Sequence, residues 1–393
     1  MIEDACPAAA PRRGRLNPST FSPFPHSRWP LVNNLISNFV VDKHAAWLHE
    51  QQRAWRRLLS LPRVAALAAS TPAGATQHDV VFEMGTLRLL CYRRQTAATQ
   101  RCPVLFSYAL INRPYILDLL PGRSVVERYL DAGFDVYMID WGVPSDADHV
   151  LSLHDYVCRR LAAVVEVVRR EHRVERLHLV GYCMGGTLAT LLTALEPQLV
   201  RTLTLLAAPI DFSGREALLN IWADRRHFDV DAFIDAHGNC PASFLQACFL
   251  CLKPVENLIE KQVSLYEQLD DRDFITNYLA LERWLNDNIP VAGETFREFV
   301  KHLFQQNELV LGRLRLGDRA VDLGRIDCPL LLLTAKSDHL VPPASTERLQ
   351  AHVASRDVTA SMMDAGHVGL VVSGRAHRAF WPNAVGWLTA RSD

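Results

Sequence analysis

Apolar and polar positions along the chain fall into three regimes. From about Leu31 to Leu67 apolar residues recur at helical spacing (Trp47, Leu48, Trp55, Leu58, Leu59), predicting one or two helices with an apolar stripe. Such a stripe either packs on the rest of the body, the simpler expectation, or offers a partner surface. After Thr71-Pro72-Ala73-Gly74 come short apolar runs, His78 to Glu83 and Leu87 to Tyr92, around Met84-Gly85-Thr86, predicting a hairpin. Apolar runs at Pro103 to Tyr108, Phe134 to Ile139, Leu177 to Tyr182 and Arg201 to Ala207 then alternate with helical stretches at Ser124 to Ala132, Ser152 to Glu171 and Met184 to Leu195. Fully apolar strands between helices predict a mainly parallel sheet with helices on both faces, an α/β fold. From Asp211 the alternation stops and the text becomes helical and aromatic. It resumes with strand Pro329 to Thr334, a helix to about Ala351, strand Asp357 to Met362 and a last helix from about Arg375. The expected organisation is a Pro-rich disordered tail (1–30), a helical segment (31–75), a core built from 76–210 and 323–393, and a helical insertion at 211–322 placed as a cap.

Within the alternating part, one turn carries chemistry. Residues Gly181-Tyr182-Cys183-Met184-Gly185-Gly186 join an apolar strand to an apolar helix. This spacing resembles the nucleophile elbow of α/β-hydrolases with cysteine in place of serine. Glycines flank the nucleophile because a bulky side chain two residues away would strike the neighbouring strand or helix. The bend would present Cys183 above the sheet and set the Met184 N–H at a helix N-terminus, where it can donate to an oxyanion. Taken alone, the string is equally a tight turn around an inert buried cysteine. Downstream residues shift the balance. Asp338 follows one late apolar strand and His367 follows the next, giving the chain order nucleophile, acid, histidine of the hydrolase fold. His367 would take the Cys183 proton, and Asp338 would fix the imidazole tautomer. Asp364, on the same loop as His367, is a weaker rival acid. His339 is an even choice between accessory group and bystander, and Asp140 reads as structural. The second oxyanion donor is expected among the N–H groups of Leu110 to Asn112, with Ile111 the central choice.

Composition narrows the classes. The 393 residues carry 42 Lys+Arg against 43 Asp+Glu, so no global field favours nucleic acid or an anionic surface. No apolar run reaches membrane-spanning length and no signal-peptide core is visible, so a cytoplasmic protein is expected. Nine cysteines without framework spacing fit a reducing compartment. The close pair Cys248-x-x-Cys251 has no second pair or histidine at ligand spacing and reads as buried helix; no metal is expected.

Further motifs carry a more specific resemblance: Ala109-Leu110-Ile111-Asn112-Arg113-Pro114-Tyr115, Tyr137-Met138-Ile139-Asp140-Trp141-Gly142, Gly238-Asn239-Cys240-Pro241, Leu252-Lys253-Pro254, Ala292-Gly293-Glu294-Thr295-Phe296-Arg297, Asp338-His339-Leu340-Val341-Pro342-Pro343 and Gly366-His367-Val368-Gly369. With the elbow, these resemble the polyhydroxyalkanoate synthases, in particular the short catalytic subunit of the two-subunit type, from about Asp79 to Trp387. The resemblance implies an acyltransferase that polymerises (3R)-hydroxyacyl-CoA, 3-hydroxybutyryl-CoA being the expected case, through a Cys183 thioester. CoA would be a product, with no cofactor. It further implies an accessory synthase subunit, a homodimer and association with polyester granules. The chain departs from the short subunits at Met184, where they usually carry glutamine, and over the first 75 residues. Other readings of the same residues are a cysteine-type thioesterase or depolymerase, in which water replaces the growing hydroxyl, and a non-catalytic granule protein.

Overall fold

A computed structural model describes residues 29–70, 74–95, 97–214 and 217–392. The tail expected over residues 1–30 lies almost wholly outside the described residues. The chain divides after Ser60 into two compact units. Helix α1 (Trp29–Ser70) accounts for the described part of the first. There Glu50 pairs with Arg53 and Arg57 at 2.6 and 2.9 Å, and Trp47, Leu48, Trp55, Leu58 and Leu59 are exposed.

The second unit is built on an eight-stranded sheet, numbered here β1 (His78–Met84), β2 (Leu87–Tyr92), β3 (Val104–Ser107), β4 (Val136–Asp140), β5 (Leu177–Tyr182), β6 (Val200–Leu206), β7 (Leu330–Ala335) and β8 (Val358–Met363). Their spatial order is β1-β2-β4-β3-β5-β6-β7-β8. The β1–β2 hairpin and the β2–β4 pairing are antiparallel; every later pair is parallel. Strands β3 to β7 are buried along nearly their whole length, which is why they read as unbroken apolar runs. Helices α2 (Val125–Asp131), α3 (Ala162–His172) and α4 (Met184–Leu195) connect strands β3 to β6. Ser124 caps α2 by accepting from the Glu127 N–H.

Helix α4 is buried on every side. Its three threonines tolerate this because each hydroxyl has a carbonyl partner: Thr187 donates to Pro209 O, Thr190 to Gly186 O and Thr193 to Ala189 O. The strand-to-helix turn at its start therefore sits on a fully buried helix with its hydroxyls satisfied.

Between β6 and β7 the chain forms helices α5 (Leu218–Ala223), α6 (Val230–His237), α7 (Ala242–Leu252), α8 (Lys261–Glu267), α9 (Arg272–Leu285) and α10 (Gly293–Glu298). After β7 follow α11 (Pro343–Glu347), α12 (Gly369–Val372) and α13 (Trp381–Thr389). Cys248 and Cys251 do lie on a helix, α7, but the expectation of burial fails: Cys251 is exposed, Cys248 is half-buried, and Leu245 is the buried residue of that helix. An apolar run thus marks a helix here without saying that it faces a core.

Candidate active site

Cys183 sits at the carboxyl end of β5 with φ 54° and ψ −131°, a backbone region that residues with a Cβ rarely enter, at a cost of about 1–3 kcal/mol. Its N–H donates to Leu206 O at 2.9 Å, so the strained residue is still tied into the sheet. The surrounding glycines are required by space. A Cβ on Gly181 would lie 2.3 Å from the Gly186 Cα, one on Gly185 would lie 2.2 Å from Ser107 O, and one on Gly186 would lie 2.4 Å from the Ala208 Cβ. Met184 opens α4, where its N–H precedes the helical hydrogen-bond ladder.

His367 and Asp338 come to the same place. Asp338, buried at the turn after β7, receives His367 Nδ1 on Oδ2 at 2.6 Å and the N–H groups of Leu340 and Val341 on Oδ1 at 2.9 Å each. One carboxylate oxygen is committed to the backbone and the other to the imidazole, so the ring is fixed in azimuth. With Nδ1 taken by Asp338, the Cys183 sulfur lies close enough to bear on the charge of the ring. Burial works against a charge on His367, but the Asp338 carboxylate and the Cys183 sulfur outweigh it and raise the imidazole above its ordinary 6.5. The arrangement is therefore poised for proton transfer between sulfur and imidazole.

The other candidates separate cleanly. Asp364 is exposed and faces Arg375 at 3.7 Å. Asp140 binds Arg88 at 2.5 Å and accepts the Gly142 N–H at 3.0 Å, a structural post at the end of β4. His339 is exposed and lines the cavity described next. Ile111 lies on the cavity wall with Asn112, and its carbonyl accepts the Ile289 N–H at 3.0 Å.

Above Cys183 opens a cavity of about 920 Å³. Cys183, Met184 and His367 form part of its lining, and the insertion supplies Trp222, Phe228, Phe244, Phe249, Trp284 and Phe296. These rings also pack on one another, Phe228 against Phe244 at 5.9 Å, and Phe244 rests in turn on Phe233 at 4.6 Å.

Tyr182 was not singled out by sequence. Its ring is buried and stacks on His367 at 5.0 Å and 24°, and its hydroxyl donates to His367 O at 3.4 Å. No motif marks such a residue. The available signal was only that position 182 ends the strand beside the nucleophile.

An eight-stranded, mainly parallel sheet with a cysteine on a strained strand-to-helix turn, facing a histidine–aspartate pair from the last two strand ends, defines an α/β-hydrolase fold. The α/β-hydrolase family model matches residues 120–372, and the model described as the poly-beta-hydroxybutyrate polymerase (PhaC) N-terminus matches residues 62–130. A putative lipase from Sulfolobus solfataricus superposes with a TM-score of 0.50 at 14% identity, covering 80% of this chain and 99% of its own, a likeness of fold alone. The chain is 40% identical over 350 residues to the poly(3-hydroxyalkanoate) polymerase subunit PhaC of Haloferax mediterranei, covering 87% of this chain and 71% of that one. It is 38% identical over 326 residues to the same subunit of Thiocystis violacea, covering 83% and 91%. The chain belongs to the poly(3-hydroxyalkanoate) polymerase family, PhaC, and is an acyltransferase. The match to the PhaC N-terminus begins at residue 62, upstream of the Asp79 at which motif resemblance begins. Helical segments carry fewer fixed motifs than turns do, and so the eye places the start too late.

Proposed function

We propose that Cys183, His367 and Asp338 are the nucleophile, the acid–base and the orienting acid of a polymerase acting on (3R)-hydroxyacyl-CoA, 3-hydroxybutyryl-CoA being the expected substrate. The observation that carries this reading is the shared floor of one aromatic-walled cavity, lined by both Cys183 and His367, with His367 held by Asp338 at 2.6 Å.

In the first half-reaction Cys183 attacks the thioester carbonyl carbon as a thiolate, its proton already held by the raised His367 imidazole. The oxyanion lies against the N–H groups of Met184 and Ile111, each worth about 2.7–4 kcal/mol when aimed at that oxygen. The bond from carbon to the CoA sulfur breaks, the departing thiolate takes the proton back from His367, and the acyl group remains on Cys183. In the second half-reaction His367 accepts the proton of a hydroxyl on another hydroxyacyl unit, the alkoxide attacks the Cys183 thioester, and an ester forms as the sulfur leaves. Thiol–thioester exchange is nearly balanced, so the stored acyl group stays reactive towards an alcohol. Asp338 keeps Nδ1 protonated throughout and stabilises the imidazolium. The aromatic walls limit water, whose attack would release a free hydroxy acid.

In this reading the insertion at 211–322 is a cap that governs entry. The name subunit in the relatives supports an accessory subunit, and the reaction product supports residence at a polyester granule. A homodimer is the assembly expected from the family resemblance, to be read from the mass in solution. Among the described residues no helix is long and apolar enough to cross a membrane.

The test incubates the protein with (3R)-hydroxybutyryl-CoA, with and without a family accessory subunit, and follows CoA release and insoluble polymer together. Release with polymer, abolished in Cys183→Ala, is the expected result. Release with only free hydroxy acid, or release that survives the substitution, would refute the reading.

A further inference from the structure

The loop after β3, from which the second oxyanion donor is drawn, does not hold its own shape. It is tied to residues 284–289 of the insertion, more than 170 positions away in sequence. Trp284 Nε1–H donates to Arg113 O at 2.8 Å, and the Ile289 N–H donates to Ile111 O at 3.0 Å. Arg113 Nε donates to Asp287 Oδ1 at 3.3 Å and the Tyr115 hydroxyl to Asp287 Oδ2 at 3.2 Å, while Asn112 Nδ2 donates to Asn288 Oδ1. Two of these bonds grip backbone carbonyls: the one on Ile111 O sets the direction of the Asn112 N–H, which shares its planar peptide unit, while the one on Arg113 O, whose peptide partner Pro114 has no N–H, anchors the end of the loop without orienting a donor. On the sheet side the loop is braced by the Trp141 indole, which donates to Tyr108 O at 2.8 Å. Between Tyr108 and Arg113, then, the orientation of the peptides is decided jointly by the sheet and by the end of α9.

The geometry points to Trp284 and Asp287 as positioning residues for the oxyanion loop, so that the second donor is in register with Cys183 only while residues 284–289 are seated on that loop. Passage of a bulky acyl group that lifts this segment would disengage the donor, and reseating would restore it. Acyl transfer is thereby coupled to closure of the insertion over a bound substrate, and an open site, accessible to water, is a poor catalyst. The inference rests on the proposed function, which makes Cys183 the acylated group.

The test compares Trp284→Phe, which keeps the ring and loses the indole donor, with Asp287→Asn, which keeps the shape and loses the charge. In the second variant Arg113 retains Asp140, 3.9 Å away, so no guanidinium is stranded. Three quantities are measured on the full chain: kcat and KM for CoA release from (3R)-hydroxybutyryl-CoA, the rate of Cys183 alkylation by iodoacetamide, and Tm. Alkylation displaces iodide at a saturated carbon and forms no oxyanion, so it reports the thiol and His367 without the loop. Complete loss of an oxyanion donor costs about 100- to 1000-fold in kcat, so a displaced one is expected to cost about 10- to 100-fold, with KM within about threefold and alkylation within about twofold of the parent. A kcat that stays within twofold of the parent in both folded variants overturns the inference. So does a parallel loss of kcat and alkylation, which would show a general disturbance. Wild-type protein that releases no CoA, or Cys183→Ala protein that releases it normally, would instead refute the proposed function, and the two failures are told apart by these controls.

Discussion

Tyr182 places an aromatic face against the imidazole at 5.0 Å, close to the stacking geometry in which a ring attracts a cation by about 0.5–2 kcal/mol. In the proposed mechanism the imidazolium is the form that returns a proton to departing CoA, and an aromatic face at this distance favours that form. Tyr182→Leu is expected to move the alkaline limb of the CoA-release rate downward by about half to one pH unit, since each unit corresponds to about 1.4 kcal/mol. Tyr182→Phe keeps the ring and is expected to leave that limb in place. Equal behaviour of the two variants would show that the ring face is irrelevant. The grouping of Cys183, Asp338 and His367 was legible in sequence because each follows an apolar strand in a fixed order. Tyr182 was not, because stacking across two strand ends depends on the stagger of the sheet, which no local pattern records. The preference for Asp338 over Asp364 came from strand order and holds: Asp364 stands three positions before His367, yet the bond to the histidine comes from twenty-nine positions away.

At the scale of elements, the β5–turn–α4 unit is the most constrained part of the molecule. A Cβ on Gly185 would meet Ser107 O at 2.2 Å, Tyr108 O at 2.3 Å and the Tyr108 carbonyl carbon at 2.4 Å, all backbone of β3 and the loop that follows it. None of these atoms can swing aside as a flexible side chain would. Gly185→Ala is therefore expected to push α4 away from β3, lowering stability by about 1–3 kcal/mol and displacing the Met184 N–H from the place the proposed mechanism gives it. Denaturant titration would show a lower midpoint at unchanged slope, with CoA release reduced beyond what the residual folded fraction explains. A stable, fully active variant would mean that the turn relaxes freely. The elbow was readable because close approach demands glycine at fixed offsets from the nucleophile. The insertion was readable only as helices. Which face of each helix meets the cavity is set by distant partners: Trp284 and Asp287 are ordinary helix-end residues until the β3 loop is laid against them.

For the whole molecule, buried histidines impose opposite pH dependences on stability. Burial holds His178, between Thr202 and Ser392, down to about 3, and holds His377 down to about 4. Between those values and 6.5 the unfolded chain binds protons that the folded chain refuses, so stability from these two sites is present above 6.5 and lost as pH falls. His367 has the opposite sign. Its folded value is raised, chiefly by Asp338 against the cost of burial, so the folded chain holds a proton that the unfolded chain gives up above 6.5. That contribution is complete below 6.5 and is lost as pH rises through the elevated folded value. His178 is part of β5, the strand that leads into Cys183, which makes that strand a pH-sensitive member of the core as well. The expected difference in Tm between the parent and His367→Gln is therefore greatest near and below neutrality and shrinks towards alkaline pH, whereas any advantage of His178→Asn over the parent should grow as the solution is acidified. Differences are the proper measure, because the carboxylates shared by both proteins cancel. A parent–His367→Gln gap that widened on the alkaline side would show that His367 is neutral in the folded protein, and would remove the imidazolium from the resting site.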